Sequence, residues 1–442
     1  MNRIQQVVIL AGGQGTRLHD TIGNHPKCLV PFNGVDLLTQ NILRLAAQGF
    51  SNFLLLLGEY AEEIIAHIPQ IRKRIKVEFE YIVEEKPLGT GGALINAFSA
   101  LDDFFLLFHG DLYIDFDTTD LISPLLLGNT DYCQVYHASS HMHDSDLIEL
   151  DSENRIVQYI LKPHSSDLLV RNRANAGVYA FSKAVLLSNT FREAKIDLDR
   201  DVLPALLQSG VLGVGVQNVG YIKDIGTPER LAQTSGEILD SFMLYPRQPA
   251  IFLDRDGTLN LPKGYISSPD QIEIYPDSYE LISYCNRLGI RVIVVTNQPI
   301  IARGEASVKD LDLIHARIDQ VLGSRGLYID DYYYCPHHPD SGFENEVAEL
   351  KIDCECRKPK NGLIEKAFSK FALERDYSFM IGDKYTDIEA GESSGLTTVL
   401  VSRTRSHRDS NISPNFVVSN LKDIIEIVKN KLETWPLSHK GV

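Results

Sequence analysis

The sequence lacks any apolar run long enough to cross a membrane as a helix, and the apolar stretch near its start is too short for a signal peptide. It also lacks low-complexity tracts and internal repeats, including a hexapeptide array. Positive charge is scarce: 43 Lys and Arg residues stand against 59 Asp and Glu residues, a formal net charge of -16. That balance argues against nonspecific nucleic-acid binding. We therefore expect a cytoplasmic protein with neither a membrane nor a nucleic-acid partner.

Cysteine is sparse as well, with six residues in the whole chain. Cys28, Cys133 and Cys285 are scattered, and in a reducing compartment we expect them to be free thiols. The other three cysteines fall close together, within residues 335–356. This distribution favours one local cluster over a framework of disulfides.

The domain organisation follows from length and periodicity. A chain of 442 residues is too long for one ordinary core, so two or three domains are expected. Short apolar runs alternate with helical patterns in both halves, which predicts an α/β fold with largely parallel sheets. The predicted domains are residues 1–243 and 250–442, joined by a short linker at 244–249.

The first candidate site begins with a glycine loop, "LAGGQGTRL", directly after an apolar strand. Glycines there let backbone N–H groups approach a phosphate closely, with a helix N-terminus behind them. The spacing matches neither a P-loop nor a dinucleotide fingerprint, and a plain tight turn remains an alternative. Nearby cations suit a triphosphate. The residues concerned are Gly12, Gly13, Gly15, Thr16, Arg17 and Lys27.

Further polar features follow in the first half. Glu84–Leu94 is a second glycine turn, with Gly89 and Gly91, that opens a helix. Asp111 comes at the end of a hydrophobic strand, where ligands gather in open α/β sheets. Lys162, Asn175 and Asp224 complete the set. Any one of these residues could be structural, and Asp111 or Asp224 alone could be a helix cap or a turn residue.

Taken together and in this order, these motifs resemble those of the sugar-1-phosphate nucleotidylyltransferases over about residues 3–235. The resemblance implies a Rossmann-like (GT-A-like) domain in which residues 12–17 and Lys27 bind a nucleoside triphosphate. It also implies that Asp111 and Asp224 hold Mg²⁺ and that Lys162 and Asn175 bind a sugar phosphate. A sugar-1-phosphate oxygen would attack the α-phosphorus and release pyrophosphate. Nucleotidylyltransferases often assemble, so a homo-oligomer is compatible with the resemblance.

The base of the nucleotide is predicted from one carboxylate. Guanine presents N1–H and N2–H₂ donors together, and Glu84 or Glu85 could accept both, although a solvated charge pair is the alternative. The segments "PKCLVPFNG" and "DIGTPE" are most similar to the D-glycero-D-manno-heptose 1-phosphate guanylyltransferases, which implies GTP as co-substrate. His109 departs from the asparagine of many relatives, which leaves the choice of sugar open.

The second candidate site begins at "FLDRDGTLN". Side chains two apart on an extended strand point the same way, so Asp254 and Asp256 are predicted to face one site. Two carboxylates there allow one to attack phosphorus and the other to protonate the leaving oxygen. Later segments add phosphate donors and more carboxylates, with Asp387 four residues after Asp383 on one helical face. The added residues are Thr296, Asn297, Arg357, Lys358, Asp383 and Asp387.

This motif set resembles the haloacid-dehalogenase-like (HAD-like) phosphatases and implies a Rossmannoid domain. The resemblance implies Asp254 as nucleophile and Asp256 as general acid and base. Phosphoryl-binding roles are implied for Thr296, Asn297 and Lys358, and Arg357 supplies a second cation for the substrate. A magnesium ion would lie on Asp254, the Asp256 carbonyl and Asp383.

The clustered cysteines predict a metal site in the same half. Cys335, His337, Cys354 and Cys356 match the three thiolates and one imidazole of a closed, structural zinc site, with His338 as the rival ligand. Such a site would fold the loop 335–356 and fix the cations that follow it. With this loop, residues 250–402 are similar to the heptose 1,7-bisphosphate phosphatases and to the histidinol phosphatases.

The two resemblances fit one reaction sequence. Removing the 7-phosphate of D-glycero-D-manno-heptose 1,7-bisphosphate leaves the heptose 1-phosphate that a guanylyltransferase would use. Alternatives are another sugar, ATP or the other anomer, a histidinol-phosphatase-like second half, or one half that serves as a non-catalytic regulatory module. The expected partners are therefore sugar phosphates and a nucleoside triphosphate.

Overall fold

A computed structural model describes residues 4–13, 16–187, 195–240, 247–403 and 412–435. The chain divides into two compact units. The first unit comprises Met1–His137, Ser145–Lys162 and Arg173–Leu239, and the second comprises Ala138–Asp144, Pro163–Asn172 and Asp240–Val442. The change of unit after Leu239 falls near the predicted end at 243, while residues 244–246 of the predicted linker lie outside the described residues. The sequence did not suggest that two short segments of the first half belong to the second unit.

Among the residues that the structure describes, the first unit is built on a nine-stranded sheet, with a separate hairpin and a separate two-stranded pair. The main path of the large sheet runs β10-β9-β11-β6-β1-β4-β5, and β8 joins β11 to β12. The strands are β1 (Gln6–Ala11), β2 (Pro31–Phe32), β3 (Val35–Asp36), β4 (Asn52–Leu57), β5 (Glu78–Val83), β6 (Phe104–His109), β7 (Leu112–Asp115), β8 (Tyr132–His137), β9 (Leu147–Leu150), β10 (Ile156–Ile160), β11 (Ala174–Ser182), β12 (Gly213–Gln217) and β13 (Tyr221–Asp224). The helices are α1 (His19–Ile22), α2 (Leu37–Ala47), α3 (Ala61–Arg72), α4 (Gly89–Asn96), α5 (Thr119–Leu126), α6 (Leu203–Gln208) and α7 (Pro228–Asp240).

The central strand β1 explains how this sheet positions a site. Val7 and Ile9 pack into one apolar cluster and Val8 into another, because successive side chains of a strand point to opposite faces. Both faces are therefore covered, as expected for parallel strands. β1 pairs in parallel with β4 and β6, in a register that sets Leu10 beside His109. The chain after β1 and the chain after β6 consequently leave the sheet at the same edge.

Within its described part, the second unit contains a six-stranded, all-parallel sheet in the order β16-β15-β14-β17-β18-β19. Its strands are β14 (Ala250–Leu253), β15 (Arg291–Asn297), β16 (Asp331–Cys335), β17 (Phe379–Gly382), β18 (Thr397–Val401) and β19 (Phe416–Val418). Its helices are α8 (Pro276–Leu288), α9 (Val308–Gly323), α10 (Gly362–Lys370), α11 (Tyr385–Ser393) and α12 (Ile424–Leu432). The sheet of the first unit is mixed, because β11 pairs antiparallel with β6 and β8 and β10 pairs antiparallel with β9, whereas the second sheet is parallel throughout. Both units confirm the predicted α/β fold class.

A buried ion pair holds the segment Pro163–Asn172 within the second unit. Arg171 Nε donates to Asp319 Oδ2 at 2.8 Å, and the backbone N–H of Asn172 donates to the same oxygen at 3.1 Å. The other carboxylate oxygen of Asp319 accepts from the Tyr332 hydroxyl at 2.6 Å. Asp319, on α9, is buried.

Among the helices of the described ranges, none is both long enough and apolar enough to span a membrane.

Candidate active sites

The second unit gathers carboxylates and one lysine at the carboxyl edge of its sheet. Lys358 Nζ lies 2.7 Å from Asp254 Oδ1 and 2.6 Å from Asp387 Oδ1, and donates to the Val295 carbonyl at 2.8 Å. All three charged side chains are buried. Burial alone would lower the pKa of Lys358, but the two carboxylates raise it above its usual range. The lysine therefore stays charged and offsets the negative charge beside it.

A carboxylate group at this edge could hold a divalent cation. Ligand oxygens of Asp254, Asp383 and Asp387 lie within 4.8 Å of one another. Asp383 Oδ1 is buried, and it has no hydrogen-bond partner in the part of the chain that the structure describes. Burial, reinforced by the Asp254 carboxylate, raises the pKa of Asp383 to about 7. Oxygen ligands in this arrangement fit a magnesium ion.

Asp383 and Asp387 lie close together, but not because they share a helical face, as the sequence predicted. Helix α11 begins at Tyr385, so Asp383 precedes the helix and does not share a helical face with Asp387. Asp387 lies in the first turn and accepts a hydrogen bond from the Lys384 backbone N–H at 3.0 Å. The turn from β17 into α11 brings the two carboxylates together. The sequence showed the spacing but did not assign Asp387 to the metal group.

Asp256 lies outside that carboxylate group. Strand β14 ends at Leu253, so the alternation that predicted Asp254 and Asp256 on one side does not continue to Asp256. The Asp256 carboxylate instead accepts hydrogen bonds from Arg255, Gln298 and Asn260. Burial would raise the pKa of Asp256, but Arg255 and these donors hold it below its ordinary value.

In the structure, the predicted phosphate-binding residues have different hydrogen-bond partners. The Asn297 side chain is paired with the backbone of Lys358: it donates to the carbonyl at 2.9 Å and accepts from the N–H at 3.0 Å. The buried Thr296 hydroxyl accepts from Gln298 at 2.8 Å. Arg357 Nη1 donates to the His337 carbonyl at 3.2 Å. Asn297 therefore fixes the lysine, and Arg357 is joined to the cysteine loop.

The cysteine loop forms a second group able to bind a metal. The sulfur atoms of Cys335, Cys354 and Cys356 lie 3.2–3.5 Å apart, and His337 Nδ1 lies 3.2 Å from Cys356 Sγ. Three thiols and an imidazole in such an arrangement fit zinc. The rival His338 uses its Nδ1 to accept the Asp340 backbone N–H at 3.1 Å. The geometry thus brings His337, not His338, to the sulfur atoms.

In the first unit, two acidic residues and two basic residues approach one loop. Lys27 Nζ lies 3.5 Å from Asp111 Oδ2. Strand β13 pairs with β7 so that Asp224 lies opposite Leu112, the neighbour of Asp111. A Cβ on Gly226 would lie 2.8 Å from Asp224 Oδ1 and 3.6 Å from both Asp111 Oδ2 and Arg17 Nη2. Asp224 also forms an ion pair with Arg230. These four predicted residues therefore lie around the same backbone turn.

The first glycine loop lies beside Glu84. A Cβ on Gly12 would lie 3.1 Å from Glu84 Oε1, whereas a Cβ on Gly13 would meet no atom of the described residues within 4 Å. Glu84 is half-buried and accepts the Leu88 backbone N–H at 3.0 Å, while Glu85 is exposed. Gly15 and the side chain of Thr16 lie outside the described residues.

The second glycine turn is shaped by a neighbouring segment. The N–H of Gly91 donates to the Ile196 carbonyl at 2.9 Å. Gly89 has φ +75°, and a Cβ there would collide with that carbonyl. These glycines are required by close packing, and the Gly91 N–H is already engaged.

Asn175 lies in a polar cluster that the sequence did not reveal. Its Nδ2 donates to Asp199 Oδ1 at 2.8 Å, and Asp199 also accepts from the Tyr179 hydroxyl. His109 Nε2 lies 3.5 Å from Asp199 Oδ2. Burial would lower the pKa of His109, but Asp199 raises it to about 9. The backbone carbonyl of Lys162, which precedes Asn175 in the sequence, accepts a hydrogen bond from Arg200 at 3.1 Å.

Two families of known proteins match different parts of the chain. Residues 6–241, more than half of the chain, match the family model for nucleotidyl transferases. The chain belongs to the nucleotidyl transferase family. Residues 355–424 of this nucleotidyl transferase match a second family model, described as HAD-hydrolase-like.

Individual relatives cover the two halves separately. Over 182 residues, this chain is 35% identical to a D-glycero-beta-D-manno-heptose-1,7-bisphosphate 7-phosphatase of Pasteurella multocida. The match covers 41% of this chain and 96% of that protein. The protein of the same name from Photorhabdus laumondii is 33% identical over 183 residues, covering 41% and 95%. The crystal structure of HddC from Yersinia pseudotuberculosis complexed with GMP-PN is 26% identical, covers 52% of this chain and 98% of that one, and has a TM-score of 0.45. The two family models and the phosphatase relatives together show that the chain joins a nucleotidyl transferase and a HAD-like phosphatase in one bifunctional enzyme.

Proposed function

We propose that the second unit removes the 7-phosphate of D-glycero-D-manno-heptose 1,7-bisphosphate, and that the first unit transfers GMP from GTP to the resulting heptose 1-phosphate. The observation that carries the proposal is the fusion itself. A C-terminal part related to heptose-bisphosphate 7-phosphatases shares one chain with a nucleotidyl transferase. A 7-phosphatase leaves the anomeric phosphate in place, and a sugar-1-phosphate is what a nucleotidyl transferase consumes.

In the phosphatase reaction, an Asp254 oxygen attacks the phosphorus of the 7-phosphate. The bond from phosphorus to the sugar oxygen breaks, and that oxygen takes a proton from the Asp256 carboxyl group. Water then attacks the aspartyl phosphate, gives its proton to Asp256 and releases phosphate. The buried Lys358 ammonium, with Thr296 and Arg357, supports the negative phosphoryl oxygens.

The second unit contains residues suited to bind two kinds of metal ion. Asp254 and Asp383, with the Asp256 carbonyl, would hold Mg²⁺, which neutralises phosphate charge when bound. Asp387 already pairs with Lys358 and lies within the same carboxylate group, so it completes the surroundings of that ion. The closed cysteine–histidine group would hold structural zinc.

In the transferase reaction, an oxygen of heptose 1-phosphate attacks the α-phosphorus of GTP, and pyrophosphate leaves. Arg17, Lys27 and the backbone of Gly12 and Gly13 would bind the triphosphate, with Mg²⁺ held by Asp111 and Asp224. Lys162 and Asn175 would bind the sugar phosphate. Glu84 is the carboxylate proposed to read guanine, because it lies against Gly12 while Glu85 is exposed.

The experiment supplies both anomers of the bisphosphate, each with Mg²⁺ and either GTP or ATP, and follows phosphate, pyrophosphate and sugar nucleotide by phosphorus NMR. GDP-heptose formed with GTP, while ATP is inert, supports both halves and identifies the anomer. Asp254→Asn should abolish phosphate release and spare GDP-heptose formation from heptose 1-phosphate, and Asp111→Asn should do the reverse. Phosphate release without any sugar nucleotide would overturn the transferase half of the proposal.

A further inference from the structure

The carboxylate of Asp256 is surrounded by donors to which the sequence analysis assigned no role. Oδ1 accepts from Arg255 Nε at 3.0 Å and from Asn260 Nδ2 at 3.1 Å. Oδ2 accepts from Arg255 Nη2 at 2.7 Å and from Gln298 Nε2 at 3.0 Å. Each oxygen therefore has two N–H donors, and together they fix the plane of the carboxylate.

Gln298 connects this arrangement to the rest of the site. Its Oε1 accepts from Arg255 Nη2 at 3.0 Å, so the guanidinium and the amide orient each other. Its Nε2 also donates to the Thr296 hydroxyl at 2.8 Å. Its backbone N–H donates to the Cys335 carbonyl at 2.8 Å, which holds the residue at the end of β15. The amide thus has a fixed position and a fixed orientation.

Arg255 supplies the charge of the arrangement and is completely buried. A guanidinium that binds one carboxylate through two N–H groups gives that carboxylate a defined direction. A general acid contributes most when its proton is held in line with the leaving oxygen, and small displacements are costly. The same donors favour the ionised form of Asp256, so a proton on Asp256 must take the place of one of these hydrogen bonds. The donors that remain hold the plane of the carboxyl group, and in this way Arg255 and Gln298 are placed to set the direction of that proton.

We propose that Arg255 and Gln298 are positioning residues that orient Asp256 toward the leaving oxygen of the phosphate ester. The inference rests on the proposed role of Asp256 as general acid. Weakening the hydrogen bonds from Arg255 and Gln298 to Asp256 should then slow the hydrolysis of substrates whose leaving group needs a proton. It should not slow the hydrolysis of substrates whose leaving group needs none. A purely structural role would harm both kinds of substrate equally.

The test compares kcat/KM of the full chain, with Mg²⁺, on sugar or alkyl phosphates and on p-nitrophenyl phosphate. The value of kcat/KM reports steps up to departure of the first product, so hydrolysis of the aspartyl phosphate does not enter. Gln298→Met should lower kcat/KM about tenfold or more for alkyl phosphates, because general acids contribute about 10²–10⁴-fold. For p-nitrophenyl phosphate, whose leaving group needs no proton, it should change kcat/KM less than about threefold. Arg255→Lys, which keeps the charge and loses the fork, should show the same pattern and serves if Gln298→Met fails to fold. Gln233→Met, at an exposed position of the first unit, should leave both values unchanged.

Two references separate the possible failures. Asp256→Asn should show the same pattern with a larger loss, and an equal loss on both substrates there would remove the proposed role of Asp256 itself. If Asp256→Asn behaves as expected while Gln298→Met and Arg255→Lys lower both substrates equally, or neither, the positioning role is wrong and the proposed function stands.

Discussion

Arg171 Nε and Asp319 Oδ2 lie 2.8 Å apart inside the second unit, although 148 positions of sequence separate them. The Asp319 side chain is 2% exposed and that of Arg171 15%. Removing one partner of a buried ion pair leaves the other charge without compensation, which typically costs about 3–5 kcal/mol. The segment Pro163–Asn172 is therefore part of the structure that keeps the phosphatase unit folded.

We expect Arg171→Met to destabilise the second unit by about 3 kcal/mol or more. The measurement is the urea concentration at which phosphatase activity is half lost, since that activity reports the folding of this unit. Arg155→Met removes an exposed cation paired with Asp151 and Glu153, and it should leave the midpoint unchanged. Equal midpoints for Arg171→Met and the unmodified protein would show that the pair contributes no stability.

Magnesium binding should depend on pH through Asp383. Because its pKa is raised to about 7, the folded protein retains a proton that the unfolded chain releases near the ordinary carboxyl range. Without metal, this group therefore makes the protein less stable as pH rises from that range to about 7, with no further change above. Magnesium needs the ionised carboxylate, so its apparent affinity rises across the same interval.

The check is the increase in melting temperature caused by MgCl₂, which should be larger at about pH 8 than at about pH 5.5. Asp383→Asn should remove most of this increase at both pH values. Asp376→Asn, at an exposed position of the same unit, should keep it. An increase in the unmodified protein that is independent of pH would contradict the assignment of Asp383.

The cysteine loop allows a matched pair of histidine variants. His337→Gln removes the imidazole that lies beside the sulfur atoms, so we expect loss of bound zinc and a lower melting temperature. His338→Gln changes a neighbouring histidine whose Nδ1 accepts a backbone N–H, and zinc should remain. Zinc per chain is measured by mass spectrometry of the purified protein. Retention of zinc by His337→Gln, with loss from His338→Gln, would reverse the assignment of the ligand.

Base selectivity should depend on Glu84 and not on Glu85. Glu84→Gln replaces a carboxylate that can accept both guanine donors with an amide that can accept at one end only. Hydrogen bonds to charged groups are worth about 1.5–3 kcal/mol, so kcat/KM with GTP should fall about tenfold or more. Glu85→Gln is the control and should change nothing, because that side chain is exposed. Unchanged selectivity in Glu84→Gln would show that another group reads the base.

The local pattern of the sequence was enough to predict the fold class, whereas the roles of the residues it named at both sites stay predictions. Apolar runs such as Val7–Ala11 and Arg291–Thr296 form strands because they are buried on both faces, and parallel strands bring the residues after them to one edge. Short spacings such as Cys354 to Cys356 survive in the tertiary structure because only one residue separates the two thiols.

Features that depend on distant contacts were decided only by the tertiary structure. The chain turns after Leu253, so Asp256 is oriented by Arg255 and Gln298 and not by strand alternation. Asp387 joins the carboxylate group because the chain turns between β17 and α11. Arg171 meets Asp319 although 148 positions of sequence separate them. Local sequence determines which residues leave each strand, whereas the direction of a polar side chain depends on partners that folding brings from elsewhere.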